Sequence, residues 1–185
     1  MIRSTARLVA VGAVALSLAV PSAMFAQKPS KSLVARGKYL VLVGGCNHCH
    51  SPKVMTPQGP EPDASKLLSG HPAAMDPGAA PAGLAPDKFG IATTMDLTAW
   101  VGPWGTSYAA NLTPDKATGL GSWTEAMFLK ALHTGKHMGE GRPILPPMPA
   151  ADFAKMTDDD LKAIFAYLQS IPAVANPVPD PVAPK

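Results

Sequence analysis

The chain has 185 residues, 46% of them hydrophobic, and a formal net charge of +3 at pH 7. That length suits one domain of ordinary size. The nearly balanced charge gives no support to nucleic-acid binding, and two cysteines are too few for a framework of several disulfides.

The chain opens with Arg3 and Arg7, an uncharged stretch from Leu8 to Val20, and small residues ending at Ala26, the layout of a secretory signal peptide. The 13 residues of that stretch are too few to cross a bilayer, which takes about 20. No later segment is long and apolar enough to span, so no stable membrane segment is expected after cleavage. A cut after Ala26 leaves Gln27 to Lys185 with 14 basic residues, the 16 of the whole chain less Arg3 and Arg7, against 13 acidic ones. The expected location is the periplasm, where a disulfide between the two cysteines is a chemical option.

From about Ser32 to Val43, "SLVARGKYLVLV" sets Leu33, Arg36-Gly37, Leu40 and Val43 or Gly44 in helical rows, and Gly44-Gly45 ends the turn. A strand is the alternative for "YLVLV", although the run is short and isolated. Directly after it stand Cys46, Asn47, His48, Cys49 and His50. Three chemistries compete for this motif. A structural zinc site needs a second pair of ligands at similar spacing, and there is no second pair of cysteines. A dithiol oxidoreductase expects a strand before the motif and an α/β pattern around it. Covalent haem attachment uses all three side chains: two thiols on one side of a turn reach two vinyl groups on one porphyrin edge, and the histidine that follows ligates iron.

Residues 52 to 90 contain eight prolines and five glycines, which makes a long loop the default. Between residues 97 and 115, Trp100, Trp104 and Tyr108 come together. Aromatic groups are suited to covering a haem face, and Trp100, Asn111 or Arg142 to contacting the group or its propionates, with ordinary loop packing as the rival reading. Ser122-Trp123-Thr124-Glu125 has the form of a capping box, with Phe128, Ala131 and Leu132 following on one face before Gly135. Ile144-Leu145-Pro146-Pro147-Met148-Pro149 excludes helix and holds Met148 in a stiff, extended segment. Thr157 with three aspartates starts a last helix whose stripe is Leu161, Ile164, Phe165 and Leu168. Residues 172 to 185 hold five prolines and are expected to be extended or disordered.

These elements predict an all-α fold, helices around one covalent haem with a long Pro/Gly-rich loop insertion at 52–110. The domain division is leader 1–26, haem domain 27–171 and Pro-rich tail 172–185. For the iron position facing His50 the candidates are His71, His133, His137, Met75, Met95, Met138, Met148 and Met156. Met148 is favoured, Met138 comes next and His137 after it.

In its order of helix, haem motif, methionine loop and final helix the chain resembles the class I cytochrome c family. The stretches "NLTPDKATGLGSWTEAMF", "TGKHMGEGRPILPPMP" and "MTDDDLKAIFAYLQS" are similar to a bacterial monohaem group, the resemblance covering roughly Leu33 to Ile171. It implies thioether bonds at Cys46 and Cys49, His50 as proximal and Met148 as distal ligand, and haem c as cofactor. The long stretch after the motif departs from the family pattern. The function expected is electron transfer rather than catalysis, as a soluble carrier or as the haem subunit of a dehydrogenase complex. Its partner would be a periplasmic dehydrogenase or terminal oxidase. The alternative is a peroxidase-like or gas-binding haem protein with a displaceable distal ligand, for which His71 or His137 would supply the acid-base group.

Overall fold

The computed structural model describes residues 29–79 and 90–184, so the expected leader, 1–26, lies outside the described residues. Helix α1 (Lys31–Val43) begins where the Ser30 hydroxyl accepts the Leu33 amide, and ends at Gly44. Gly45, in the left-handed region at φ 66°, redirects the chain into α2 (Cys46–His50). Helix α3 (Glu125–Thr134) is capped by Thr124, whose hydroxyl accepts from Met127, rather than by the Ser122 of the expected box. After the short α4 (Ala150–Phe153), α5 (Asp158–Leu168) starts at Thr157 with three aspartates in its first turn, against the positive end of the helix dipole.

Helices α1 and α5 cross at Gly37. A Cβ at that position would lie 1.8 Å from the Ala163 carbonyl oxygen and 2.8 Å from the Tyr167 Cβ, so the approach requires glycine. The stripe Leu161, Ile164, Phe165 and Leu168 is buried against Val41, Leu68, Leu120, Phe128 and Leu132, which together form the apolar core. Among the described residues no helix is long and apolar enough to cross a membrane.

The expectation of an all-α chain is overturned. Among the described residues, five α-helices and one 3-10 turn are accompanied by five strands in two antiparallel sheets. Strand β1 (Lys53–Thr56) pairs with β2 (Gly59–Pro62), and β3 (Ala92–Thr93), β4 (Ala99–Gly102) and β5 (Gly105–Tyr108) form a three-stranded sheet in that order. The prolines and glycines that argue against helix build these hairpins. Thr56-Pro57-Gln58-Gly59 and Gly102-Pro103-Trp104-Gly105 share the pattern x-Pro-x-Gly, which puts proline's fixed φ at the second turn position and glycine at the fourth. Pro60 and Pro62 are tolerated because every strand of a two-stranded ribbon is an edge.

The Pro-rich tail is extended and fastened. The Val182 and Thr106 backbones exchange both amide bonds, at 2.8 and 2.9 Å. The Val174 carbonyl accepts from the Asn111 amide at 2.8 Å, and the Asn176 amide donates to the carbonyls of Ser69 and His71 at 2.7 and 2.8 Å.

Candidate functional site

The α1–α2 break and the β region enclose a cavity of about 610 Å³, within the roughly 300–1,000 Å³ typical of small-molecule and cofactor sites. Cys46, Cys49 and His50 form one part of its wall. The sheet contributes Trp100 and Tyr108, α3 contributes Phe128 and Leu132, the methionine loop contributes Met148, and Pro177 to Pro181 close another side. All seven residues singled out from the sequence, Cys46, Cys49, His50, Trp100, Asn111, Arg142 and Met148, line this cavity.

The His50 ring is oriented by its second nitrogen. Nδ1 lies 2.8 Å from the Ala110 carbonyl oxygen, an atom that only accepts, so Nδ1 carries the hydrogen and Nε2 keeps its lone pair. Burial pushes the imidazole below its usual pKa, with the Ala110 bond acting in the opposite direction, and favours the neutral ring that a metal needs. Both cysteines are free and half-buried. Burial raises both thiols above their ordinary value, while the Lys53 ammonium acts the other way on Cys49.

Of the eight side chains considered opposite His50, Met148 and His137 line the cavity. His71 is fully buried with both ring nitrogens engaged, by the Thr98 hydroxyl at 2.8 Å and the Met75 carbonyl at 2.9 Å. His133 is held by Asp158 and the Ala154 carbonyl. Met95 is 84% exposed, and Met75 and Met138 are exposed too. The Met148 segment is anchored at three points: Ile144 N donates to Gly135 O at 2.7 Å, the Ser107 hydroxyl donates to Pro146 O at 2.6 Å, and Ala150 N donates to Met148 O at 2.8 Å.

Two of the expected polar contacts are spent inside the protein. Trp100 Nε1 donates to the Leu97 carbonyl at 2.8 Å. The Asn111 amide donates to Thr118 and Val174, and its oxygen accepts from the Thr113 amide and hydroxyl. These residues offer the cavity apolar surface and a fixed backbone. Arg142 makes one long bond, Nη1 to its neighbour's carbonyl at 3.3 Å, which leaves most of its guanidinium donors without a partner among the described residues.

Sequence reasoning missed the Ala110 carbonyl, the tail wall and Lys53. A backbone acceptor leaves no mark in residue identity. The donor set fits a covalently held porphyrin: two thiols, a neutral imidazole with an oriented lone pair and a thioether share one largely apolar cavity. Among the described residues no three His, Cys, Asp or Glu side chains assemble a separate metal cluster.

No family model matches the chain. It is similar to the cytochrome c subunit of alcohol dehydrogenase (quinone) of Gluconobacter oxydans, 30% identical over 174 residues, 92% of this chain and 28% of that protein. The gluconate 2-dehydrogenase cytochrome c subunit of Pantoea cypripedii is 32% identical over 146 residues, 79% of this chain and 25% of that protein. The fructose dehydrogenase cytochrome subunit of Gluconobacter japonicus is 27% identical over 150 residues, 81% of this chain and 23% of that protein. The chain thus spans about a quarter of the length of these relatives.

Proposed function

Starting from the premise that this chain is a homologue of bacterial c-type cytochrome subunits, we propose that it is a periplasmic electron-transfer protein. It carries one haem c, covalently attached, either as a soluble carrier or as the haem subunit of a dehydrogenase complex. When bound, the haem supplies a one-electron Fe(III)/Fe(II) couple. Cys46 and Cys49 would hold the porphyrin through their sulfurs, and His50, fixed by the Ala110 carbonyl, and Met148 would supply the ligands to its iron. The soft thioether favours the reduced state and raises the potential relative to a second imidazole. Apolar walls act in the same direction, because the oxidised centre carries the extra charge in a poorly polarisable pocket. Arg142 offers its free donors to a propionate, and the tail from Pro177 to Pro181 supplies one largely apolar side of the pocket.

The observation that carries this reading is the convergence of Cys46, Cys49, His50 and Met148 on one cavity of about 610 Å³. The relatives support electron transfer as the role, since each is named as the cytochrome subunit of a dehydrogenase. The leader-like arrangement of Arg3, Arg7, Leu8 to Val20 and Ala26 supports export.

The test is a pyridine haemochrome spectrum and a redox titration of protein matured in a host competent for cofactor attachment. One covalent haem is expected. Met148→Ala lowers the midpoint potential and lets the reduced protein bind carbon monoxide, whereas His137→Ala leaves both properties unchanged. A colourless mature protein sinks the reading, and an unchanged Met148→Ala variant removes Met148 as ligand.

A further inference from the structure

The α2 turn is too short to hold its own shape. Its five residues follow a left-handed Gly45 that offers no side-chain cap, and the last carbonyls of any helix lack partners within it. One amine meets this need. Lys53 Nζ donates to the carbonyls of His48 at 2.9 Å, Asn47 at 3.2 Å and Ser51 at 2.5 Å, and it stands 3.3 Å from the carbonyl of Asp96. The remaining contacts of the turn converge on the same β region. Gly70 N donates to His50 O at 2.8 Å, and the Ser51 hydroxyl bonds Asn47 Oδ1 while accepting the Leu68 amide. Lys53 is itself placed by the hairpin, since it opens β1 opposite Pro62, and the Asp63 amide donates to the Pro52 carbonyl beside it.

We propose that Lys53 is a positioning residue that ties the Cys46–His50 turn to both sheets and that its fixed charge holds up the reduction potential. The inference rests on the reading of Cys46, Cys49 and His50 as the attachment site. A half-buried ammonium clamped to the end of this turn opposes the extra positive charge of the oxidised state. Its hydrogen bonds also neutralise the carbonyl dipoles at the C-terminal end of the turn, which would otherwise stabilise that charge. Both effects have one sign. The Asp96 carboxylate, whose oxygens accept from Thr94 and Thr98, acts on the ammonium only through space and reduces the effect without reversing it, because Lys53 bonds the turn directly. The β region between the motif and α3 thereby acquires a role, because it delivers a cation to the segment that holds the cofactor.

The experiment compares the holoprotein with Lys53→Arg, Lys53→Gln and Lys53→Met by redox titration and by haem bound per chain. Lys53→Met keeps an apolar stem and loses both charge and donors. It is expected to shift the oxidised-to-reduced ratio at a given potential about tenfold towards oxidised, equivalent to a midpoint lower by about 59 mV for a one-electron couple. Lys53→Gln, which keeps two donors and loses the charge, falls between Met and wild type, and Lys53→Arg restores the wild-type midpoint. A purely structural lysine would change haem yield without moving the midpoint of the molecules that do carry haem. Equal midpoints for Lys53→Met, Lys53→Gln and wild type overturn the proposal and leave the haem reading standing, whereas a wild type without haem removes the premise itself. If Lys53→Met yields no holoprotein, the midpoint of Lys53→Gln decides.

Discussion

The two halves of the molecule are buried in different ways. The helical half, α1, α3 and α5, packs leucine, isoleucine, valine and phenylalanine around a glycine crossing. The β half is buried through polar side chains. All eight buried polar residues among those described, Ser51, Ser69, His71, Asp96, Thr98, Ser107, Asn111 and Thr113, lie between positions 51 and 113, a span that holds Leu68 and Ala99 as its buried hydrophobics. No buried side-chain nitrogen or oxygen lacks a partner among the described residues. Apolar packing is non-directional and cooperative, so damage to it is felt globally. A hydrogen-bonded half is specified bond by bond, and losing one partner leaves a costly but local orphan.

This contrast can be broken at three places. The largest effect is expected at the helix crossing, where Gly37→Val forces α1 away from Ala163. The cost is about 3 kcal/mol or more, at the upper end of core overpacking, and denaturant unfolding should lose it in a single transition. Asn176→Ala deletes three side-chain bonds, to Ser69 O, His71 O and Ala73 N. A cost of about 2 kcal/mol is expected, since two carbonyls of buried residues are left without that partner. Hydrogen exchange should show it as faster exchange around residues 172–184 while the amides of α1 and α5 stay protected. Global loosening in this variant would sink the contrast.

The smallest effect lies on the exposed contact between the end of α3 and the start of α5. Asp158 and the Ala154 carbonyl raise the His133 pKa above its ordinary 6.5. A raised folded-state pKa gives stability that is complete below the unfolded value and is lost as pH rises through the folded one. His133→Gln should therefore narrow its stability gap to wild type as pH climbs past that range. His50 and His137, both lowered by burial, are common to the two proteins, so the difference between their unfolding midpoints isolates His133.

The same contrast explains what the sequence revealed. The stripes of α3 and α5 and the caps at Thr157 and Gly135 are readable because helical periodicity and capping act over three or four neighbours. Cys46, Cys49 and His50 stand out because covalent haem attachment would fix such a spacing, Met148 stands out because prolines surround it, and the fold brings all four to one cavity. The hairpins left a signal that was misread: proline and glycine density pointed to a loop, while the repeated x-Pro-x-Gly pattern at Thr56–Gly59 and Gly102–Gly105 marked turns joining strands. The Ser122 cap gave way to Thr124, two residues on, because both can bond an amide and only the tertiary fold selects between them. Lys53, Ala110 and the tail were illegible for a deeper reason. Their partners are carbonyl oxygens, which every residue carries.

The fastening of the tail also orders events in time. The Asn176 amide reaches carbonyls 107 and 105 positions earlier in the chain, and closing so wide a loop costs entropy that a few hydrogen bonds cannot offset unaided. The helical frame is expected to bring those distant points together first, so that the pocket wall at Pro177 to Pro181 is expected to form late in folding.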